Sequence, residues 1–459
     1  MNNFYISNMK EGSHIHFVGI GGISMSGLAE VFLQKGYRVT GSDIRQSHIT
    51  RRLTSLGAQV YIGHDGANIA GADLVVYTAA VNWENPELIA AKQSGILAIE
   101  RATLLGALMR EYKCSICVSG THGKTTTTSM LSHVLLHSGC DPTIMLGGEL
   151  DAIGGNTRTG SAEYFLTEAC EYHCSFLQFF PTIAIITNVD ADHLDFFKDL
   201  DQIKAAFTQF AHIPGRDGFV IVCGDDTNAV DCVANTSAQC VCYGLSKSND
   251  VRPDNLIYQD GCGIFDVDYN GKLLHVQLHV PGTHNVKNAL ACIAAGRVMN
   301  LPAEKVASGL EAFTLVHRRF EKKGMLHGAA IIDDYAHHPT EISCTLETAK
   351  KITPGRLFVA FQPHTYSRTL LLLDEFEKAF DCADDIIITD IYAAREKDNG
   401  RIHAKDLVKR LQDRGKAVRY IPEFSDIAAV LERELASGDT LITMGAGSIY
   451  QVADLLLKR

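Results

Sequence analysis

Six residues constrain this chain more than any others: Gly120-Thr121-His122-Gly123-Lys124-Thr125. An apolar alternation carrying Ile116 and Val118 runs into them, and Met130, Leu131, Val134 and Leu135 follow at the spacing of one helix face. Strand, glycine turn and helix in immediate succession form the geometry that holds a phosphate. Glycines let the backbone close around the oxygens, the helix N-terminus turns its N–H groups toward them, and Lys124 supplies a cation. The Thr125 hydroxyl can then hold Mg²⁺, with Thr121, His122 and Thr126 completing the stretch expected to wrap ATP. The spacing departs from the general phosphate loop, since only two residues separate Gly120 from Gly123. The bland alternative is a tight glycine turn beside an exposed lysine.

Around this loop the chain alternates short apolar runs with helical patterns, and the alternation restarts twice. The first series has strands expected at His14–Gly19, Arg38–Gly41 and Leu74–Thr78, with helices at Ser26–Lys35 and from Pro86. The second begins near Cys114. The third begins around Ala329, with strands at Leu357–Phe361, Asp385–Thr389 and Thr440–Met444. Such alternation predicts an α/β fold with mostly parallel sheets. A β-rich stretch from Cys240 to Val280 reads as an antiparallel insertion. At 459 residues the chain exceeds one ordinary core. Three domains are expected: residues 1–112 and 319–459 Rossmann-like, and residues 113–318 a P-loop-type ATPase domain.

Composition excludes several classes. Hydrophobic residues make up 46% and charged residues 21%, so the chain is globular. A net charge of −11 argues against a general nucleic-acid or membrane-surface binder. No apolar run is long enough to span a bilayer, and the first residues lack a secretory pattern. The 13 cysteines have no framework spacing and fit reduced thiols in the cytoplasm, so none is assigned a metal or redox role.

Two strands of the second series end in acids. Tyr164–Glu168 closes on Glu168, and Ile183–Val189 leads to Asp190, Asp192 and His193. The carboxyl ends of parallel strands face one crevice. Glu168 and His193 are therefore candidates, with Thr125, for metal ions bridging ATP phosphates. Glu171 competes with Glu168, and spacing does not choose between them. Imidazole is an uncommon Mg²⁺ ligand, so His193 would act through water.

Near the N-terminus Gly19, Gly21, Gly22 and Ser24 follow a strand and open a helix, with Asp43 after the next strand. This is nearly the dinucleotide fingerprint, with Ser24 where a third glycine or alanine would stand. An NAD-dependent oxidoreductase is thus one rival. The loop needs only a diphosphate against a helix N-terminus, which a UDP-sugar also supplies, and a simple dehydrogenase has no use for a second phosphate loop.

Taken together, HFVGIGGISMSGLAE, GTHGKTTTT, EACEYHCSF, NVDADH, PGTHNVKNALA, HRRFE, DDYAHHPTE and FQPHTYSRT resemble the Mur ligase family over nearly the whole chain. The resemblance implies separate UDP-, ATP- and amino-acid-binding domains. It implies ATP-dependent joining of L-alanine to the carboxylate of UDP-N-acetylmuramate through an acyl phosphate. Lys124 would meet the ATP phosphates, with Thr125, Glu168 and His193 around Mg²⁺. Asn285 and Asn288 would contact the nucleotide, and their spacing puts both on one helix face. Arg319 would reach ATP phosphate, with Arg318 beside it as the alternative, and Asp334 would meet the nucleotide from the third domain. His337 and Arg368 fall in motifs expected near the amino acid, Arg368 being suited to grip its carboxylate. His193 or His337 could assist the amine in losing its proton. Many relatives carry arginine where this chain has Thr365, so one substrate contact is expected to be made differently. The nearest rival is a ligase that attaches a ready-made tripeptide to the same UDP-sugar. A folate-type polyglutamate ligase leaves the first glycine loop without purpose, and a nucleotide-dependent binding module that has lost catalysis sits poorly with Lys124, Glu168 and His193 all present.

Overall fold

The first βα series builds the parallel sheet its alternation predicts. In the computed structural model, which describes residues 4–79, 81–314, 316–394 and 396–458, its strands are β1 (His14–Val18), β2 (Arg38–Asp43), β3 (Gln59–Ile62), β4 (Leu74–Tyr77) and β5 (Leu97–Glu100). They pair in the order β3-β2-β1-β4-β5. The order reverses beside β1, which places the ligand crevice above that strand's carboxyl end. All of β1 is buried, as a strand covered on both faces requires. The following helix starts at Ile23, earlier than the expected Ser26, because Gly22 takes the extended N-cap conformation.

The second series forms a seven-stranded sheet. Its strands are β6 (Cys114–Ser119), β7 (Thr143–Leu150), β8 (Gly155–Arg158), β9 (Tyr164–Glu168), β10 (Ile183–Ile186), β11 (Phe219–Cys223) and β12 (Gln239–Tyr243). The order is β12-β11-β10-β6-β9-β7-β8, parallel except for the β7–β8 pair. β6 therefore lies between β9 and β10, and the loops leaving all three emerge together.

The predicted antiparallel insertion begins later than Cys240. Residues Gln239–Tyr243 pair in parallel with β11 as an edge strand, an arrangement that local alternation cannot distinguish from a hairpin arm. The antiparallel meander proper is β13 (Asp254–Gln259), β14 (Cys262–Tyr269) and β15 (Lys272–Pro281). The last sheet has β16 (Glu321–Leu326), β17 (Ala329–Asp334), β18 (Leu357–Phe361), β19 (Asp385–Ile388), β20 (Val418–Tyr420) and β21 (Thr440–Met444), in the order β16-β17-β21-β18-β19-β20. No apolar run announces β16, Glu321-Lys322-Lys323-Gly324-Met325-Leu326. It is a polar edge strand, turned back onto β17 by His327 and Gly328, both at positive φ.

The sheets β1–β5 and β6–β12 lie in one compact unit, built from the chain up to Val189 with Lys204–Val251 and Ala291–Gly309. The other unit comprises Asp190–Ile203, Arg252–Leu290 and the chain from Leu310, and holds the meander and the last sheet. Among the described residues no helix is long and apolar enough to cross a membrane.

Candidate active site

In the first unit, β6 ends at Ser119 and the helix Lys124–His137 begins five residues on. Gly120 has φ +132°, and a Cβ there would fall 1.9 Å from Thr187 Oγ1, so the turn admits only glycine. Gly123, at φ 85°, is the N-cap. The loop is held from the side by Thr187 and Asn188, which no motif spacing ties to it. Thr121 N–H donates to Asn188 O at 3.1 Å. His122 N–H donates to Asn188 Oδ1 at 2.9 Å, and His122 O accepts from Thr187 Oγ1 at 2.6 Å and Asn188 Nδ2 at 3.0 Å. The strand expected to reach Val189 stops at Ile186, and the residues beyond it become this brace.

Lys124 and the two candidate acids separate cleanly. Lys124 Nζ donates to Glu171 Oε2 at 2.9 Å, to Thr121 O at 3.0 Å and to Gly120 O. Burial alone would lower the lysine's pKa, but the Glu171 carboxylate outweighs it and holds the ammonium form. Glu168 is the partner of the threonine instead: Thr125 Oγ1 donates to Glu168 Oε2 at 3.0 Å, and Gly147 N–H to Oε1 at 2.6 Å. A hydroxyl and a carboxylate adjoining at a helix N-terminus are hard oxygen donors, the set that suits Mg²⁺. The residues therefore fit the expected ion. Thr126 continues the helix and is buried.

The N-terminal glycine loop is tied down at the same end of its own sheet. Gly19 has φ +81°. Gly19 and Ile20 N–H groups both donate to Ser42 O, at 2.8 and 2.9 Å. Gly21 N–H donates to Asp43 Oδ2 at 2.9 Å. Gly22 caps the helix Ile23–Gln34, and Ser24 lies in its first turn. A helix N-terminus and the acid that closes β2 thus stand at the glycine turn where a diphosphate and ribose would lie, while the N–H groups of Gly19, Ile20 and Gly21 are bonded within the protein.

In the second unit, Asn285 and Asn288 share a helix face as their spacing requires. Both are buried, Asn288 Nδ2 donating to Asn285 Oδ1 at 3.2 Å and Asn285 Nδ2 to Pro281 O at 2.7 Å. The neighbouring arginines differ sharply. Arg318 Nε donates to the buried Asp333 at 3.2 Å and Arg318 Nη2 to Gly445 O at 2.6 Å, with its guanidinium 4.9 Å from both the Tyr335 and Tyr450 rings. The Arg319 guanidinium lies 5.0 Å from the Tyr335 ring and makes no hydrogen bond or ion pair among the described residues. Asp334 accepts backbone N–H bonds from Phe320 and Ala336, both at 2.7 Å. Burial raises its pKa to about 6 against the nearby Arg319 charge.

His337 Nδ1 meets Tyr335 O at 3.0 Å, and loss of solvent lowers its pKa to about 3. The next residue, His338, is the actual cap of the helix Pro339–Ile352, in a box with Glu341. Arg368 is already paired: Nη2 and Nε donate to Asp192 Oδ1 at 2.9 and 3.1 Å, and Nη1 to His364 Nδ1 at 3.0 Å. Burial would raise the Asp192 pKa, but Arg368 and the histidines around it hold it well below the carboxylate range. His193 follows at φ 53°, with Nε2 3.9 Å from Asp192 Oδ2. Thr365 caps the short helix Tyr366–Leu371 by accepting from Arg368 N–H at 3.4 Å.

Serial α/β sheets, a glycine loop at the end of β1 and a phosphate loop at the end of β6 define a nucleotide-using α/β protein of several domains. The chain belongs to the Mur ligase family: residues 14–113 match the model "Mur ligase family, catalytic domain", residues 118–296 the "Mur ligase middle domain" and residues 318–447 the "Mur ligase, glutamate ligase domain". It is 50% identical over 453 residues, 98% of each chain, to a UDP-N-acetylmuramate–L-alanine ligase of Caldanaerobacter subterraneus. The crystal structure of the UDP-N-acetylmuramate–alanine ligase of Thermotoga maritima superposes with a TM-score of 0.80 at 32% identity, over 97% of this chain and 98% of that one. A murein peptide ligase from Psychrobacter arcticus gives 0.72 at 25% identity, over 97% and 98%.

Proposed function

We propose that the protein joins L-alanine to the carboxylate of UDP-N-acetylmuramate at the expense of ATP, releasing ADP and phosphate, in the cytoplasmic synthesis of peptidoglycan precursors. The observation that carries this reading is 50% identity to a ligase of that activity across 98% of both chains. The geometry of the loops supports it.

An amide forms from a carboxylate only after one carboxylate oxygen is made a leaving group. The substrate carboxylate attacks the γ-phosphorus, ADP departs, and the amine of L-alanine then adds to the acyl carbon and expels phosphate. Lys124 serves the first step by offsetting the repulsion between carboxylate and triphosphate. The Glu171 carboxylate beside that lysine keeps it protonated for the nucleotide phosphates. Thr125 and Glu168, with His193 through water, would hold Mg²⁺, which supplies charge neutralisation on the phosphates. Arg319, whose guanidinium is uncommitted, serves the phosphate, while Asp334 and the Asn285–Asn288 pair serve the nucleotide. Gly19, Gly21, Gly22, Ser24 and Asp43 serve the UDP moiety. Arg368 receives the alanine carboxylate in exchange for Asp192, and His193 or His337 takes the amine proton, a role that burial disfavours for His337 by lowering its pKa to about 3.

The test is phosphate release from ATP with Mg²⁺ and UDP-N-acetylmuramate, with L-alanine or the cell-wall tripeptide supplied in parallel. Release that requires L-alanine, yields the matching amide and is abolished by Lys124→Ala is the expected result. Release only with the tripeptide would transfer the assignment to the murein peptide ligase type.

A further inference from the structure

The glycine loop and the phosphate loop stand on different sheets of the first unit, yet one hairpin touches the machinery of both. β7 pairs with β9 from Thr143 to Met145, opposite Phe165 to Thr167, and then runs on past the end of β9 to Leu150. On this overhang Gly147 lies against Glu168, its N–H donating to Oε1 at 2.6 Å. A Cβ at Gly147 would fall 3.0 Å from Oε2, the oxygen that Thr125 Oγ1 reaches. Only a bare backbone can approach that carboxylate so closely, and in doing so it fixes which way the second oxygen points.

The returning arm of the same hairpin is fastened to the helix Ile23–Gln34, whose N-terminus is the glycine loop. Asn156 Nδ2 donates to the carbonyl of Ile23, the first residue of that helix, at 3.0 Å. Arg52, from the helix His48–Ser55, donates through Nη2 to Glu30 Oε1 at 3.0 Å and through Nη1 to Gly154 O at 3.1 Å. Between these ties Gly27 meets β8 and β7 directly. A Cβ there would fall 2.4 Å from Thr157 Oγ1 and 3.1 Å from Met145 Cε. Glycine is disfavoured inside a helix, and this close approach is what the position gains from it.

Phosphoryl transfer needs the substrate carboxylate in line with the γ-phosphorus, at roughly 3–3.5 Å. One reactant is placed by the loop after β1 and the other by the loop after β6, so the reacting distance depends on how the two loops are set against each other. The hairpin bears on Glu168 at one end and on the first turn of the glycine-loop helix at the other. Its exposed hydrogen bonds add little to stability but fix that setting. A displacement of about 1 Å can lower a rate by about 10²-fold with every substrate contact still made.

We propose that the β7–β8 hairpin is a strut that sets the UDP-sugar loop against the Thr125–Glu168 pair, with Gly27, Gly147 and Asn156 as positioning residues for phosphoryl transfer. This rests on the UDP-sugar and ATP readings of the two loops. The decisive variant is Gly27→Ala, which favours the helix but drives a methyl group into Thr157. That threonine is buried, and its branched side chain is stiff at χ1, so the hairpin gives way by about 1 Å. The partner variant, Gly27→Ala with Thr157→Ala, removes the hydroxyl that the methyl group meets. Steady-state kinetics are measured alongside calorimetric titration with UDP and, separately, with ADP and Mg²⁺. Gly27→Ala should lower kcat by about 10²-fold, with both KM values and both calorimetric affinities within about twofold of wild type. The double variant should recover most of the lost kcat. A merely structural contact would show instead as weakened binding of UDP or ADP, or as a lower unfolding midpoint, with kcat kept in the molecules that remain folded. The inference is overturned if Gly27→Ala keeps its kcat, if it loses affinity for either nucleotide in step with its rate, or if Thr157→Ala fails to rescue it. Should Gly27→Ala not fold, Asn156→Ala cuts the tie to Ile23 without steric demand, and the same split between kcat and affinity is required of it. If the wild type itself binds no UDP, the UDP-sugar reading falls, and the strut with it.

Discussion

Arg318 and Arg319 are adjacent and carry the same charge, and nothing in their spacing ranks them. Three dimensions do. Arg318 is used up by the buried Asp333, the Gly445 carbonyl and two tyrosine rings, while the Arg319 guanidinium rests on one ring, near the Asp334 carboxyl, with no hydrogen bond among the described residues. Arg318→Ala would leave Asp333 as a buried carboxylate without its cation, a loss of about 3 kcal/mol in urea unfolding. Arg319→Ala should leave stability almost unchanged and lower kcat on the order of 10²-fold, as removal of a charge-stabilising donor does. The reverse pattern, with Arg318→Ala stable but inactive, would exchange the two roles. The same kind of information separates Glu168 from Glu171. Lys124, Thr125 and the glycines were legible because a phosphate loop is local in sequence. Glu171 on Lys124, Asp192 on Arg368, and Asn188 behind His122 are partners distant in sequence, so no motif spacing announces them.

At the scale of elements, the buried strands were read well because continuous apolar runs bounded by glycine and polar turns have few other uses: β18 and β21 match their expected spans at both ends. The polar edge strand β16 and the parallel edge strand β12 were missed or misassigned, since pairing on one side leaves a weak pattern. Three histidines of the second unit, His284 in the helix Thr283–Val298 and His337 and His364 after β17 and β18, carry the pH dependence. Burial lowers the pKa of His284 to about 4, of His337 to about 3 and of His364 to about 4. Each takes up a proton on unfolding at pH values where the folded protein holds it neutral. Their contribution to stability is present above about pH 6.5 and is lost as pH falls toward those values. Asp334, raised to about 6, works oppositely, favouring the folded state at low pH and losing that contribution as pH rises through 6. Three imidazoles outweigh one carboxyl, so the midpoint of thermal unfolding should fall between pH 7.5 and 5. His284→Asn should make that slope shallower. A midpoint independent of pH over this range would mean that these histidines are not desolvated in solution.

At the scale of the whole molecule, the alternation of strands and helices announced several α/β sheets, but not how the chain is shared between compact units. Ala291–Gly309 leaves the segment before it to join the first unit, and Asp190–Ile203 leaves its strand to join the second. Such exchanges depend on long-range packing that periodicity does not encode. They bear on the proposed reaction, because Lys124, Thr125 and Glu168 belong to one unit, whereas His193, Arg319, Asp334 and Arg368 belong to the other. An acyl phosphate is lost to water unless the amine reaches it first, so the reaction requires the groups of both units to gather on one set of substrates with water excluded. Closure hinged near Arg319 is the expected means. Small-angle scattering should show a smaller radius of gyration with a nonhydrolysable ATP analogue and UDP-N-acetylmuramate together than with either alone. The two ligands should also bind cooperatively, since each contributes to the closed state the other favours. A radius unchanged by both ligands, alongside full activity, would mean that the acyl phosphate is protected by local ordering of loops and that the hinge plays no part.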